Sequence, residues 1–169
     1  MIRAVTRFAL ILALCATTAA CGFKLRGQQT FPFDAISVPI STPLGFELKR
    51  NIAAANEQVK LVDNIADADA VLSILSEAQE KVILSLNTQG RVREYQLRYR
   101  VVFRVASPKG ADFIAPTAVL LTRDITFNDQ VLAKEVEEAQ LYREMRSDLV
   151  QQIVRRLAAA RPIEAEEED

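Results

Sequence analysis

The residues in this 169-residue chain that are best suited to chemistry are the bases of one segment. Positions 81 to 109 contain seven bases and one acid, although the whole chain has a net charge of −1. The bases are Lys81, Arg91, Arg93, Arg98, Arg100, Arg104 and Lys109. Arginine binds phosphates and carboxylates through paired hydrogen bonds, and lysine binds them as a point charge. Two interpretations follow: Arg91 and Arg93 form an anion-binding site, or the bases cover a solvated strand and prevent edge pairing.

Residues for catalysis are scarce. The chain has no histidine, which removes histidine-based triads and the commonest transition-metal ligand. It has no Gly-rich phosphate loop and no nucleophile-elbow pattern. Glu135, Glu137 and Glu138 belong to a highly charged helical segment, which is typical of a solvated face, and Asp67 and Asp69 suit caps and turns. We therefore expect no enzymatic activity, no metal site and no cofactor.

The first 20 residues predict an export signal. Arg3 and Arg7 precede an apolar run at Phe8–Ala16, and small residues follow up to Cys21. The apolar run is too short to span a membrane as a stable helix. A cysteine directly after such a signal is typical of bacterial lipoproteins, in which the thiol is acylated. We expect Cys21 to be the lipidation site, and cleavage without lipidation is the alternative.

The cysteine content agrees with lipidation. The only other cysteine is Cys15, which lies inside the signal. Cleavage therefore leaves Cys21 as a single thiol in an oxidising compartment, where an unmodified thiol is reactive. Acyl chains contribute about 0.8 kcal/mol per buried methylene, so several chains anchor a protein to the membrane. A disulfide or a cysteine metal site within the mature chain is excluded.

Two long alternating runs between Asp69 and Ala106 predict an antiparallel β-hairpin, because a period of two is typical of strands with one buried face. Asn87-Thr88-Gln89-Gly90 supplies the turn. Even positions are apolar in the first run, and odd positions are apolar in the second. We therefore expect even residues of the first strand to lie opposite odd residues of the second along the whole hairpin, so that both apolar faces are on the same side. The expected pairs are Ile74 with Phe103, Val82 with Tyr95 and Glu77 with Arg100. Tyr95, Tyr99 and Phe103 are expected in the core.

The rest of the chain predicts further strands and two helices. A turn is expected at Ser107-Pro108-Lys109-Gly110. The elements are a strand at Ala35–Ile40, a helix of about 14 residues from Pro43 with Thr42 as its N-cap, an extended piece at Val59–Val62, a strand at Thr117–Phe127 and a helix from Val131 to about Ala160. The apolar stripe of the last helix is Val136, Ala139, Tyr142, Met145, Leu149, Ile153, Leu157 and Ala160.

These elements define four regions. Residues 1–20 are the lipoprotein signal peptide and 21–34 are the lipidated N-terminus and a tether. Residues 35–162 form one folded domain. Residues 163–169 are an acidic tail that is expected to be disordered.

Four short motifs, in order along the chain, resemble one family. They are Cys21-Gly22-Phe23-Lys24-Leu25-Arg26-Gly27, Gly90 with Glu94-Tyr95-Gln96, Phe127-Asn128-Asp129 with Leu132-Ala133-Lys134, and Arg143-Glu144-Met145. Together they resemble the LptE family of outer-membrane lipopolysaccharide-assembly lipoproteins. The order of strand, helix, long hairpin, strand and helix is also similar to that family.

The resemblance implies an α+β fold in which two helices pack on a mixed four-stranded sheet. It also implies a partner, the outer-membrane β-barrel LptD, in whose lumen the lipoprotein acts as a plug, and it implies lipopolysaccharide binding. By motif position, Lys134 matches a basic residue implicated in that binding. The family's other basic position falls near Thr88, which is not basic, so we expect Arg91 and Arg93 to take over its role.

Two further functions remain open. The first is a general outer-membrane adaptor lipoprotein, whose basic hairpin docks a protein and which has no lipid ligand. The second is an enzyme that uses carboxylates alone. Nucleic-acid binding is compatible with the arginines, but export from the cytoplasm argues against it. The preferred prediction is a lipid-anchored outer-membrane subunit with Cys21 as lipidation site and Arg91, Arg93 and Lys134 as ligand-binding residues.

Overall fold

The computed structural model describes residues 29–126 and 131–161, and the last helix's side chains from residue 134 onward. Two helices pack on one face of a sheet. The elements are β1 (Ala35–Ser37), α1 (Pro43–Ala55), β2 (Lys60–Val62), a 3-10 turn (Ile65–Asp67), β3 (Ala70–Leu86), β4 (Val92–Ala106), β5 (Asp112–Thr126) and α2 (Val131–Ala159). The strand order is β2-β1-β3-β4-β5. Strand β1 is parallel to both of its neighbours, and β3, β4 and β5 are antiparallel.

The α+β class is confirmed, but the expected four-stranded sheet is wrong because the sheet has five strands. The additional strand is β2, which pairs with β1 from Ala35 opposite Lys60 to Ser37 opposite Val62. Its segment was expected only as an extended piece. Three residues are too few to show an alternating pattern, so pairing in β2 depends on a partner that is distant in sequence.

Strand β1 is three residues shorter than predicted. It ends at Ser37, and Pro39 follows two residues later. Proline has no backbone donor, so the chain leaves the sheet before it. Helix α1 then begins at Pro43 as predicted, and the Thr42 hydroxyl accepts a hydrogen bond from the Gly45 amide at 3.3 Å. Its predicted apolar residues Leu44, Leu48 and Ile52 are fully buried.

The predicted hairpin is formed by β3 and β4, and its turn is confirmed. The Gly90 amide donates to the Asn87 carbonyl at 3.0 Å, and Gly90 has a φ of 75°, which suits glycine. The turn predicted after Ser107 is formed in the same way and joins β4 to β5, with Gly110 donating to the Ser107 carbonyl at 2.9 Å. Both turns were predictable because they depend on local residues.

The register of the hairpin is as predicted only near its base. Ile74 lies opposite Phe103, as expected. A bulge at Leu75 then adds one residue to β3, so Glu77 lies opposite Val101 and Val82 opposite Gln96. The two other expected pairs, Glu77 with Arg100 and Val82 with Tyr95, are therefore wrong. Between this bulge and Ile83 the even residues of β3 lie on the open face, the side of the sheet away from the helices.

Strand β5 begins at Asp112, five residues earlier than predicted, and its predicted end at Phe127 lies outside the described residues. The added segment contains Pro116. The segment is accommodated because β5 is an edge strand and its pairing with β4 is irregular between Phe103 and Ala106.

Helix α2 has nearly the predicted length, but only its second half is buried as predicted. Its buried residues include Met145, Leu149, Ile153 and Leu157, whereas Val136 is 68% exposed and Ala139 is also exposed. The prediction failed there because the first turns of α2 contact β3 through polar groups: Lys81 binds Glu138, and the Tyr142 hydroxyl donates to the Glu80 carbonyl.

The core lies between the sheet and the two helices. Tyr99 and Phe103 are fully buried there, and Tyr95 packs against the cluster with partial burial. Their predicted role in packing is confirmed. Asp69 is a structural residue, as predicted, because its carboxylate accepts from the Ala35 amide at 2.9 Å. Within residues 29–126 and 131–161, no helix has both the length and the apolar character needed to cross a membrane.

Candidate functional site

The tip of the β3–β4 hairpin holds two of the predicted ligand-binding residues. The backbone at Arg91 is fixed by Asn87, whose side chain accepts from the Arg91 amide and whose own amide donates to the Arg91 carbonyl, at 2.9 and 2.8 Å. The side chains of Arg91 and Arg93 are exposed. Neither guanidinium makes a hydrogen bond or ion pair to any residue in the described ranges. The tip therefore combines a fixed backbone with two accessible cations.

Arg93 lies in a bulge of its own. Ser85 pairs with Glu94 and Leu86 pairs with Val92, so Arg93 is an extra residue in β4. A preceding bulge makes Leu84 an extra residue in β3. Bulges redirect side chains and occur often beside functional sites. Two successive bulges on opposite strands thus present a base and an apolar side chain at the same tip.

Glu94 is the acid nearest to these bases in sequence, and it is engaged within the hairpin. Its carboxylate accepts a hydrogen bond from the Ser85 hydroxyl at 2.5 Å, across the two strands. The side chain is partly buried. The carboxylate therefore does not form an ion pair with Arg91 or Arg93.

Lys134 lies in the first turns of α2 at the same end of the sheet. Strand β5 brings the chain there, since Thr126 pairs with Glu94. Glu138 is fixed to Lys81 of β3 at 2.6 Å, and the helical rise places Lys134 about 6 Å nearer the tip. Its ammonium forms an ion pair with Glu137 at 2.6 Å, and its side chain is only 19% exposed. Lys134 therefore lies on the tip side of Glu138, and its charge is already paired.

The other bases of the segment have structural partners or lie elsewhere. Lys81 lies 4.5 Å above the ring of Tyr95 and also binds Glu138. Arg98 donates to Gln96 at 2.9 Å, and Arg104 binds Asp112 at 2.6 Å. Because these groups are engaged, Arg91 and Arg93 carry the accessible positive charge of the tip, and the exposed Arg100 lies farther along β4. Cys21 lies outside the described residues.

The family model "LptE: Lipopolysaccharide-assembly" matches residues 29–157. The chain belongs to the LptE family. A curated relative, the LPS-assembly lipoprotein LptE of Pectobacterium atrosepticum, is 35% identical, and the match covers 89% of this chain and 84% of the relative.

Two solved lipoproteins have the same fold as this LptE-family chain. The solution structure of an uncharacterized lipoprotein B from Nitrosomonas europaea is 39% identical with a TM-score of 0.70, and the match covers 82% of this chain and 91% of that one. The crystal structure of rare lipoprotein B from Shewanella oneidensis is 30% identical with a TM-score of 0.63, covering 75% and 92%. The family predicted from four short motifs is therefore confirmed.

Sequence reasoning missed three apolar residues beside the bases of this LptE-family chain. Ile83, Leu84 and Leu86 are 58%, 46% and 55% exposed. Leu84 and Leu86 were assigned to the buried face from their even positions. Their exposure is associated with the two bulges at Leu84 and Arg93, and an alternating sequence pattern does not reveal these bulges.

A second polar cluster lies under the outer half of the hairpin. The Tyr99 hydroxyl donates to one oxygen of Glu77, whose other oxygen is buried with no partner among the described residues. Burial raises the pKa of Tyr99 well above its ordinary value, and the Glu77 carboxylate raises it further. Burial also raises the pKa of Tyr142, and the negative charges of Glu138 and Glu80 raise it further. These groups stabilise the fold and do not form a site for an anion.

An open groove of about 900 Å³ between α1 and α2 is the main alternative site. Its lining includes the exposed Phe46 and the bases Arg50 and Arg143. Below them, Glu47 of α1 binds Arg146 of α2 at 2.9 Å and also accepts from Ser147. The groove thus has its own positive charge, which makes it the natural comparison for any binding experiment on the tip.

Proposed function

We propose that this LptE-family chain is a non-enzymatic, lipid-anchored subunit of lipopolysaccharide assembly in the outer membrane of a Gram-negative bacterium. It binds lipopolysaccharide at the hairpin tip and plugs and supports an LptD-type β-barrel. The proposal is supported by the family match and by the curated relative, whose name is LPS-assembly lipoprotein.

The observation that carries the ligand proposal is the pair of accessible, unpaired guanidinium groups of Arg91 and Arg93 on a fixed turn. Lipid A bears phosphates, and guanidinium binds phosphate through two parallel hydrogen bonds. A cationic tip competes with the divalent cations that bridge neighbouring lipid phosphates. Binding at the tip therefore favours a single lipid molecule over an aggregate.

Lys134 has a conditional role in this proposal. Its ammonium is paired with Glu137, so a phosphate must displace that carboxylate to reach it. The Glu137 side chain is 48% exposed, so its carboxylate can turn into solvent when a phosphate takes its place. Arg91 and Arg93 make the first contact, and Lys134 adds its charge once Glu137 has moved.

The open face of the sheet is the proposed contact with the barrel. No helix covers this face within the described parts of the chain. Arg100 and Leu120 are paired across β4 and β5 there, and both are exposed. An exposed arginine beside an exposed leucine suits a barrel wall that carries acids and apolar groups. The same surface also fits the alternative function, an adaptor that docks a protein without a lipid ligand.

Lipidation at Cys21 anchors the chain in this account. The fold holds the chain from Gln29, whose amide donates to the Ala55 carbonyl at 3.0 Å. The eight residues from Cys21 to Gln28 span at most about 28 Å when extended. The acylated cysteine therefore keeps the domain close to the membrane surface.

The ligand proposal is tested by titrating the soluble chain from Gly22 onward with lipopolysaccharide at fixed ionic strength, because salt screens these contacts. The test variant carries Arg91→Asp, Arg93→Asp and Lys134→Asp. The matched control carries Arg50→Asp, Lys109→Asp and Arg155→Asp, three exposed bases away from the tip. Circular dichroism verifies the fold of each protein.

We expect saturable binding by the wild type and the control, and loss of binding in the test variant. Equal affinity in the test variant and the wild type contradicts a site at the tip. Absence of binding in every protein contradicts the ligand proposal and leaves the adaptor function. Co-purification of the lipid-anchored chain with a β-barrel is a separate test of the protein partner. It does not distinguish the two functions, because both of them predict a partner.

A further inference from the structure

The hairpin tip exposes three large apolar side chains within four residues. Ile83, Leu84 and Leu86 are each about half exposed. Single exposed apolar residues are normal on protein surfaces, but a cluster indicates a binding surface. This cluster lies directly before the turn that carries Arg91, on the strand opposite Arg93.

The backbone explains why these side chains are uncovered. Beyond Val71, β3 has no partner on its outer edge among the described residues, because β1 pairs only with Ala70 and Val71. Ile83 is paired with Tyr95 on the helix side of the sheet, Leu84 is the extra residue of the next bulge, and Leu86 is paired with Val92 beside the turn. The three apolar residues therefore belong to the two-stranded tip, where no other described strand pairs with the outer edge of β3.

The apolar residues and the arginines adjoin on the same two-stranded ribbon. Leu86 pairs with Val92, which lies between Arg91 and Arg93 in sequence. A water-soluble anion would use only the arginines, and a purely apolar partner would leave two cations desolvated without partners. An amphiphile in which phosphates and hydrocarbon chains belong to one molecule satisfies both sets of residues.

We propose that Ile83, Leu84 and Leu86 contact the acyl chains of the same phosphorylated lipid whose phosphates bind Arg91 and Arg93. This inference rests on the proposed function and assigns a second part of the ligand to the same site. The tip thus recognises both the phosphates and the acyl chains of the lipid. It therefore distinguishes an acylated phospholipid or glycolipid from its deacylated headgroup.

The test uses two probes, lipopolysaccharide and the same molecule after chemical removal of all its acyl chains. The test variant is Ile83→Thr, Leu84→Gln and Leu86→Thr, which changes no charge and no buried residue. The control variant is Ile40→Thr, Ile65→Thr and Leu75→Gln, three exposed apolar residues away from the tip. Affinities are measured below the concentration at which the acylated probe aggregates.

We expect the wild type and the control to bind the acylated probe at least about tenfold more tightly than the deacylated one, because buried methylene groups add to the phosphate contacts. The test variant should lose this preference and keep its affinity for the deacylated probe. A test variant that retains the preference overturns the inference, as does equal wild-type affinity for both probes. Those two results leave the proposed function intact, whereas no binding of either probe by the wild type overturns both.

Discussion

The hydroxyl of Tyr99 donates a hydrogen bond to Oε1 of Glu77, in the region where the hairpin departs from a regular register. The bulge at Leu75 moves Glu77 to the helix side of the sheet, opposite Val101. The other carboxylate oxygen, Oε2, is buried there with no partner in the described ranges. This contact therefore makes the outer half of the hairpin depend on a polar pair inside the fold.

Replacing Tyr99 with phenylalanine tests this dependence. The change leaves both oxygens of a partly buried carboxylate without a donor, so we expect the free energy of unfolding to fall by about 1–3 kcal/mol. Urea unfolding measures it. Tyr142→Phe is the control, because it removes a hydrogen bond to the Glu80 carbonyl in an exposed setting and should cost less. A smaller loss for Tyr99→Phe than for Tyr142→Phe contradicts the account.

The same pair predicts a dependence on alkaline pH. Burial and Glu77 raise the pKa of Tyr99 in the folded state, whereas an unfolded tyrosine titrates near about 10. The raised pKa means that the neutral hydroxyl is favoured by folding. Its contribution to stability is therefore complete below about pH 10 and decreases as the pH rises above that value. Urea midpoints measured across this range should fall more steeply for the wild type than for Tyr99→Phe, and parallel curves would disprove the assignment.

Gly45 of α1 is predicted to resist any larger residue. A Cβ atom at this position would lie 2.0 Å from the Pro39 carbonyl oxygen, which is backbone and cannot move without shifting the chain. We expect Gly45→Ala to lower the free energy of unfolding by about 1–3 kcal/mol, although alanine favours helices. Ala54→Ser, at an exposed site of the same helix, should change it by less than about 0.5 kcal/mol. A neutral or stabilising Gly45→Ala would show that this close approach does not constrain the fold.

The ion pair of Lys134 predicts a gain of ligand affinity. Glu137→Gln removes the carboxylate that holds the ammonium at 2.6 Å, so we expect lipopolysaccharide to bind several-fold more tightly. Glu135→Gln makes the same charge change two residues away, at an exposed site. Equal gains in the two variants would indicate a general charge effect. A gain confined to Glu137→Gln would identify the paired lysine as part of the site.

Local patterns predicted much of the fold because the responsible residues act on their own neighbours. Thr42 caps the helix that it precedes, and the residues of the two turns fix their hairpins. The buried stripe at Leu44, Leu48 and Ile52 follows directly from helical spacing. These features depend on few residues and on no distant partner.

Features that depend on distant partners were not predictable in the same way. The bulge at Leu75 leaves no mark in an alternating sequence, yet it changes the face of the residues from Ser76 to Ile83 in β3. Strand β2 exists because β1 offers it an edge, and Val136 is exposed because its turn of α2 faces few apolar groups. At the site, the bases at the tip could be predicted, whereas the bulges that expose Leu84 and Arg93 could not.

One ion pair at the site was in fact within reach of the sequence. Lys134 and Glu137 are three residues apart on a predicted helix, and this spacing brings opposite charges together. The motif match identified Lys134 as a ligand-binding residue without this neighbour. The structure adds that the lysine is paired with Glu137.

The most direct test of the central claim is a map of the binding site by nuclear magnetic resonance. Backbone amide shifts of the soluble chain from Gly22 onward are followed while deacylated, phosphorylated lipopolysaccharide is added. The account predicts saturable shifts at residues 87–94 and in the first turns of α2 around Lys134, with none around Phe46 and Arg50. Shifts confined to the groove between α1 and α2, with an unchanged hairpin tip, would contradict it.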